Sequence, residues 1–203
     1  MRLRFRLGAL MMTLLLGLSA CAGAQSASGL DAKYRARYAA LTEFSGQCTV
    51  TADYGSAVYE YAVAISGDLT QGETTVTAPE NIAGISFRWT DEDGTLVYDG
   101  VTLETGELSP DGLSPADAVP MILNALATGQ QLSTGEQKLN GEEVLFLELA
   151  NPETAAEENH VLCWLSCGDG ALRRAEVTGS GRTVVTLIFS DFSYTYDTQK
   201  IEG

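Results

Sequence analysis

One histidine, four cysteines and 27 carboxylates are the side chains from which this 203-residue chain could build reactive chemistry. A nucleophilic hydrolase needs a base within reach of an activated nucleophile. His160 is the sole imidazole, and it sits beside the acidic stretch 151–159 at the start of a strand-like run. That setting reads as a solvated strand-end histidine. Carboxylate pairs can always be found among so many acids, so none is singled out as a catalytic couple. Cys163 and Cys167 stand four apart in a strand-like run, roughly 13 Å apart on one face at about 3.3 Å per residue, too far for a disulfide. Cys48 can pair with either of them or with neither. With a single histidine and no paired Cys-x2-Cys clusters, no metal site is expected. Asp91-Glu92-Asp93-Gly94 has the opening of a calcium loop, but Thr102 stands where the late bidentate glutamate belongs, and a hairpin turn accounts for it. The Gly-x-Gly runs at Gly168 and Gly179 join strands and do not open a helix, so they are not phosphate loops. The chain therefore reads as non-enzymatic, with no cofactor.

The residue with assignable chemistry is Cys21. Arg2, Arg4 and Arg6 precede an apolar run from Leu7 to Leu18, and small residues follow. This is the layout of a secretory signal peptide. The run of about a dozen residues is too short to cross a hydrocarbon core of roughly 30 Å as a helix. Leu18-Ser19-Ala20-Cys21 resembles a bacterial lipobox, which implies removal of residues 1–20 and acylation of Cys21. An ordinary signal peptide cut after Ala24 is the alternative; the cysteine placed directly after Leu-Ser-Ala favours acylation. Two or three acyl chains make a stable anchor where one does not. The expected organisation is a leader at 1–20, an acylated cysteine with a flexible tether at 21–29, and a single domain at 30–203. Its place is the extracytoplasmic face of the cell membrane. In a cell with two membranes, Ala22 in place of aspartate points to the outer one.

The net charge of −15 becomes −18 without the leader, which carries three arginines and no acid. Nucleic acid and anionic headgroups would be repelled, so neither is expected as a partner.

The elements that must position any site follow from periodicity. Leu30, Tyr34, Tyr38 and Leu41 recur at three- and four-residue steps, which predicts a helix over 30–44 closed by Phe44-Ser45-Gly46. The period then drops to two. From Val58 to Ile65, Tyr59, Tyr61, Val63 and Ile65 share one face of a strand. Phe87 and Trp89 share a face of another. A second helix begins near Ser114-Pro115-Ala116-Asp117, with Ile122, Leu123 and Leu126 as its apolar stripe, Pro120 bending or restarting it, and Gly129 as its C-cap. Strands resume from Val144 to Leu149, Val161 to Cys167, Leu172 to Thr178, Thr183 to Ser190 and Phe192 to Tyr196. About ten consecutive strands with short turns and two helices predict an α+β fold: an antiparallel sheet with helices on one face.

This order resembles the LolA/LolB-like family of lipoprotein-sorting and lipid-carrier proteins, and more closely the related lipoproteins of spore-forming Gram-positive bacteria, a spore-germination lipoprotein among them. The stretches that carry the likeness are Leu41 to Gly46, Ala78 to Ile85 and Gly94 to Gly100. The resemblance implies a strongly curved sheet, a half-open barrel wrapped around the N-terminal and central helices. It further implies an apolar cavity that holds an acyl chain, a lipid or a lipoprotein. Tyr59, Tyr61, Phe87, Trp89, Leu123 and Leu126 are the cavity candidates, with ordinary core packing as the other reading of the same face. The family's lid-holding arginine has no counterpart in Arg88, which stands opposite the Phe87/Trp89 face. An anchored copy differs from a shuttling carrier. The alternative role is an interaction module that regulates or positions a cell-wall or spore-envelope enzyme.

Overall fold

The computed structural model describes residues 29–91, 93–106, 113–152 and 159–202. The leader, Cys21 and nearly all of the tether lie outside the described residues, as do Glu92 and most of the acidic stretch 151–159.

Eleven strands form one antiparallel sheet that does not close on itself. After α1 (Leu30–Ala39), the first six are β1 (Leu41–Asp53), β2 (Val58–Gly67), β3 (Gln71–Ala78), β4 (Ser86–Thr90), β5 (Gly94–Tyr98) and β6 (Val101–Gly106). The helix α2 (Ala118–Thr128) follows. The remaining strands are β7 (Gln131–Leu139), β8 (Glu142–Ala150), β9 (Asn159–Ser166), β10 (Leu172–Gly179) and β11 (Arg182–Tyr196), and a four-residue α3 (Gln199–Glu202) ends the described chain. The spatial order runs from β6 down to β1, then from β11 down to β7, so two sequential meanders meet at a β1–β11 seam. Three of the hairpin turns place two consecutive residues at positive φ: Asp99-Gly100, Asn140-Gly141 and Ser180-Gly181. Paired left-handed residues of this kind match the twist of the flanking strands.

The register explains the core. One row of directly paired residues crosses seven strands as Thr134, Leu147, Cys163, Ala175, Leu187, Val50 and Tyr61. The next inward row includes Leu149, Val161, Val177, Val185, Ala52 and Tyr59. Every member of these rows from β8 to β1 is buried. α2 packs on this inner face, burying Ala118, Val119, Met121, Ile122, Leu123, Ala125 and Leu126. A helix apolar on so many sides is stable only under cover.

Four sequence expectations need correction. The first helix ends at Ala39, and Leu41 to Phe44 belongs to β1. A register shift between Leu41 and Glu43 puts both Leu41 and Phe44 inward, three residues apart. A bulge thus imitates helical spacing. β7 is a strand that alternation did not reveal, because as an edge strand it has no fully buried residue. The run from Thr183 to Tyr196 is one strand, with a shift opposite Gln47 and Cys48 that takes up Ser190. Pro120 neither bends nor restarts α2. It is the third residue of the helix, where a missing N–H leaves no bond unmade. Gly129 does cap the helix, with its N–H donating to the Ala125 carbonyl. Its φ is ordinary; what requires glycine is space, since a Cβ would stand 2.7 Å from the Ala150 carbonyl oxygen.

Candidate functional site

The inner face of the N-terminal meander carries the residues singled out from sequence. Ile65, Thr74, Phe87, Leu96 and Leu103 form one directly paired row across β2 to β6, and Tyr98 pairs with Val101 two residues further along. Tyr59, Tyr61 and Val63 continue the same face along β2. The row at the other end is built from glycines around one large ring: Gly67, Gly72, Trp89 and Gly94. A Cβ on Gly72 would stand 2.7 Å from Cε2 of Trp89. The missing side chains give the indole its bed. Trp89 stacks on Phe44 at 6.4 Å, and Phe44 on Phe192 at 6.2 Å, giving an aromatic band from β4 to β11. Both Thr74 Oγ1 and Trp89 Nε1 are buried and have no hydrogen-bond partner among the described residues.

Cover over this face is uneven. Phe87, Trp89, Val63 and Ile65 are buried in the main core. Further out, Tyr59 is 48% exposed, Tyr98 47%, Leu103 61% and Val101 69%. α1 and α2 pack chiefly on each other and over β8 and β10, in the other half of the sheet. A cleft of about 570 Å³ opens beside Trp89, lined otherwise by polar residues including Glu43, Asp68, Glu73 and Arg88. Arg88 pairs with Glu73 at 3.4 Å on the outer face. Asp68 Oδ1 accepts bonds from Thr70 N, Thr70 Oγ1 and Gln71 N, so it is committed to its own turn.

The six cavity candidates separate into two settings. Leu123 and Leu126 lie in the α2 core and Phe87 and Trp89 in the core beneath the N-terminal meander, all four buried. Tyr61 packs at the border of that core, and Tyr59 stacks on Tyr61 at 6.5 Å beyond it. Of the six, Trp89 alone lines the cleft.

Several residues that organise this region gave no sequence signal of their role. Arg35 of α1 donates from Nε to the Leu126 carbonyl at 3.4 Å, and through its terminal nitrogen to the Gly129 carbonyl. A cation thereby meets the negative end of α2. Tyr34, Tyr38 and Tyr194 donate their hydroxyls to the carbonyls of Cys167, Gly170 and Asp169, at 2.7, 3.0 and 3.0 Å. Three phenols thus pin the β9–β10 turn against α1, with Tyr38 and Tyr194 stacked at 4.8 Å. The aromatic residues are visible in the sequence, but their carbonyl partners stand more than a hundred positions from α1.

Of the reactive side chains, His160 has a carboxylate partner and two of the three described thiols are buried. His160 Nδ1 lies 2.9 Å from Glu148 Oε1. Cys48, Cys163 and Cys167 are free thiols. Burial pushes the Cys48 thiol up to about 12 and raises Cys163 as well, which suppresses the reactive thiolate. Among the described residues no group of three His, Cys, Asp or Glu side chains could hold a metal ion.

The chain matches no protein-family model and no curated protein. It is similar to solved structures of low identity. A conserved protein from Thermus thermophilus is 12% identical with a TM-score of 0.49, over 85% of this chain and 91% of that one. A putative outer membrane lipoprotein-sorting protein domain from Vibrio parahaemolyticus is 12% identical with a TM-score of 0.45, over 85% and 94%. A LolA superfamily protein from Nitrosomonas europaea is 14% identical with a TM-score of 0.44, over 84% and 95%. The structural neighbours thus include the LolA-like lipoprotein-sorting class that the sequence resembles.

Proposed function

We propose that this is a non-enzymatic extracytoplasmic lipoprotein, anchored through acylated Cys21, whose open inner face receives an acyl chain of a lipid or a lipoprotein. One observation carries the reading. The apolar face that forms the core continues past the helices and stays exposed at Tyr59, Tyr98, Val101 and Leu103. Exposed apolar side chains gathered on one face of a sheet offer a binding surface. An acyl chain supplies what such a face lacks, about 0.8 kcal/mol for each methylene it buries. Phe87, buried in the same paired row as Leu103, forms the floor next to that surface, while Trp89 floors the opposite end and Leu123 and Leu126 hold α2 over the other half of the sheet.

The test is native mass spectrometry of full-length protein purified from its own host, before and after delipidation and incubation with palmitate or phosphatidylethanolamine. Co-purified lipid, or uptake of either probe, is the expected result. No adduct before or after incubation overturns the acyl-binding reading. Labelling with palmitate that is abolished by Cys21→Ser tests the anchor separately.

A further inference from the structure

The inner face ends at an edge that offers more than apolar surface. Among the described residues β6 is the last strand on its side of the sheet, and all six of its residues are exposed. An unpaired edge presents free backbone donors and acceptors, the template on which another extended segment can be added as a strand. Natural edges of this type are usually blunted by lysine, proline or an inward-pointing charge. β6, with the sequence Val-Thr-Leu-Glu-Thr-Gly, has none of the three, since Glu104 lies on the outer face; its one irregularity, the register shift at Gly94/Thr95, falls at the Glu104–Gly106 end and leaves Val101 to Leu103 in regular pairing with β5. Its inward residues are instead Val101 and Leu103, the two most exposed of the large apolar side chains on the inner face.

Charge selects the occupant. Residues 41–106 contain eleven carboxylates and one cation, Arg88, which is already paired with Glu73. Acids surround the edge itself. Glu104 lies on the outer row of β6, opposite Thr95. Asp99 is in the β5–β6 turn, and Asp91 and Asp93 are in the β4–β5 turn. A second copy of this chain would bring the same negative field against itself. Residues directly opposite one another in neighbouring strands share a face. A strand added to β6 would therefore set alternate side chains beside Val101 and Leu103 and the intervening ones beside Glu104.

We infer that the β6 edge is a docking site for an extended, basic polypeptide segment with alternating aliphatic and Lys/Arg residues, which binds by strand addition. This goes beyond acyl binding. The ligand is a protein backbone recognised at the sheet edge, and its capture does not depend on lipid uptake.

The measurement is fluorescence anisotropy of full-length protein, freed of co-purified lipid, with a short fluorescein-labelled peptide of alternating lysine and valine. Three comparisons accompany it: the same peptide N-methylated at every lysine and valine, a Glu/Val counterpart, and the variant Leu103→Lys. Saturable binding of the Lys/Val peptide is expected, weakened at least about tenfold by N-methylation, by the acidic replacement and by Leu103→Lys, and weakened by added salt. Equal binding of the N-methylated peptide would reduce the effect to charge attraction and overturn strand addition. Equal binding of the acidic peptide, insensitivity to Leu103→Lys, or no binding at all overturns the site. Because the peptide comparisons use unaltered protein, the conclusion does not depend on the variant folding.

Discussion

Replacing Tyr38 by phenylalanine removes one oxygen and tests the clamp that holds α1 to the sheet. Tyr38 is completely buried, and its hydroxyl donates to the Gly170 carbonyl at 3.0 Å. Gly170 is itself buried in the turn, so the variant leaves that carbonyl without its donor and out of reach of water. An orphaned buried acceptor costs about 1–3 kcal/mol. The lost ring oxygen leaves too small a void to add much, and the stacking on Tyr194 is retained. For a domain of this size each kcal/mol lowers Tm by roughly 2–4 °C, so a fall of about 2–12 °C is expected by scanning calorimetry. Urea unfolding should show a lower midpoint with an unchanged slope. Tyr98→Phe, at a site 47% exposed, is the control and should change stability by less than about 0.5 kcal/mol. If Tyr38→Phe is as stable as Tyr98→Phe, the three-phenol clamp contributes nothing and the account of how α1 is positioned fails.

Two further perturbations follow from the same geometry. Gly72→Ala would place a Cβ 2.7 Å from Trp89 Cε2 and 2.8 Å from the Ser66 carbonyl oxygen. It should cost about 1–3 kcal/mol as overpacking and shift the tryptophan emission; unchanged emission and stability would mean that the glycine row is not what seats the indole. The second concerns pH. Burial raises Cys48 from an ordinary 9.0 to about 12 and raises Tyr38 above its ordinary 10.0. The folded state thus retains protons that the unfolded state gives up. Stability should be flat below about pH 9 and fall as pH rises towards 12, read as the urea midpoint under reducing conditions. A midpoint still unchanged near pH 11 contradicts the assigned burial.

What could be read in the sequence was whatever depends on short-range periodicity. The two faces of β2 appeared in the alternation of Tyr59, Tyr61, Val63 and Ile65, because one face is apolar throughout and buried at Val63 and Ile65. Asp99-Gly100 and Asn140-Gly141 are residue types that favour paired positive φ, and both lie at hairpin turns. The bulge at the start of β1 was not, since a three-residue step between Leu41 and Phe44 has two structural causes. β7 was lost because an edge strand with no buried residue shows no contrast between its faces. Of the candidate site, the aromatic face could be foreseen, but the point at which helix cover stops could not. Exposure of Tyr98, Val101 and Leu103 depends on the packing of α1 and α2 over the far half of the sheet. Nothing local to those residues encodes it.

The seam between β1 and β11 has a consequence for how such a sheet assembles and diversifies. Each half is drawn from its own continuous stretch, 41–106 or 131–196, so neighbouring strands within a half are joined by loops whose closure costs little entropy. Only the seam unites strands from opposite ends of the chain, and the Asp197 N–H closes onto the Ala40 carbonyl beside it at 2.8 Å. Such distant pairing costs the most chain entropy to close and raises the contact order of the fold. The two outer edges, β6 and β7, are by contrast consecutive strands in sequence, separated by the segment that contains α2. Hairpins gained or lost between them would widen or narrow the sheet at its margins while the central seam stays as it is. The two margins are thus the parts of the sheet that can change without disturbing the β1–β11 pairing.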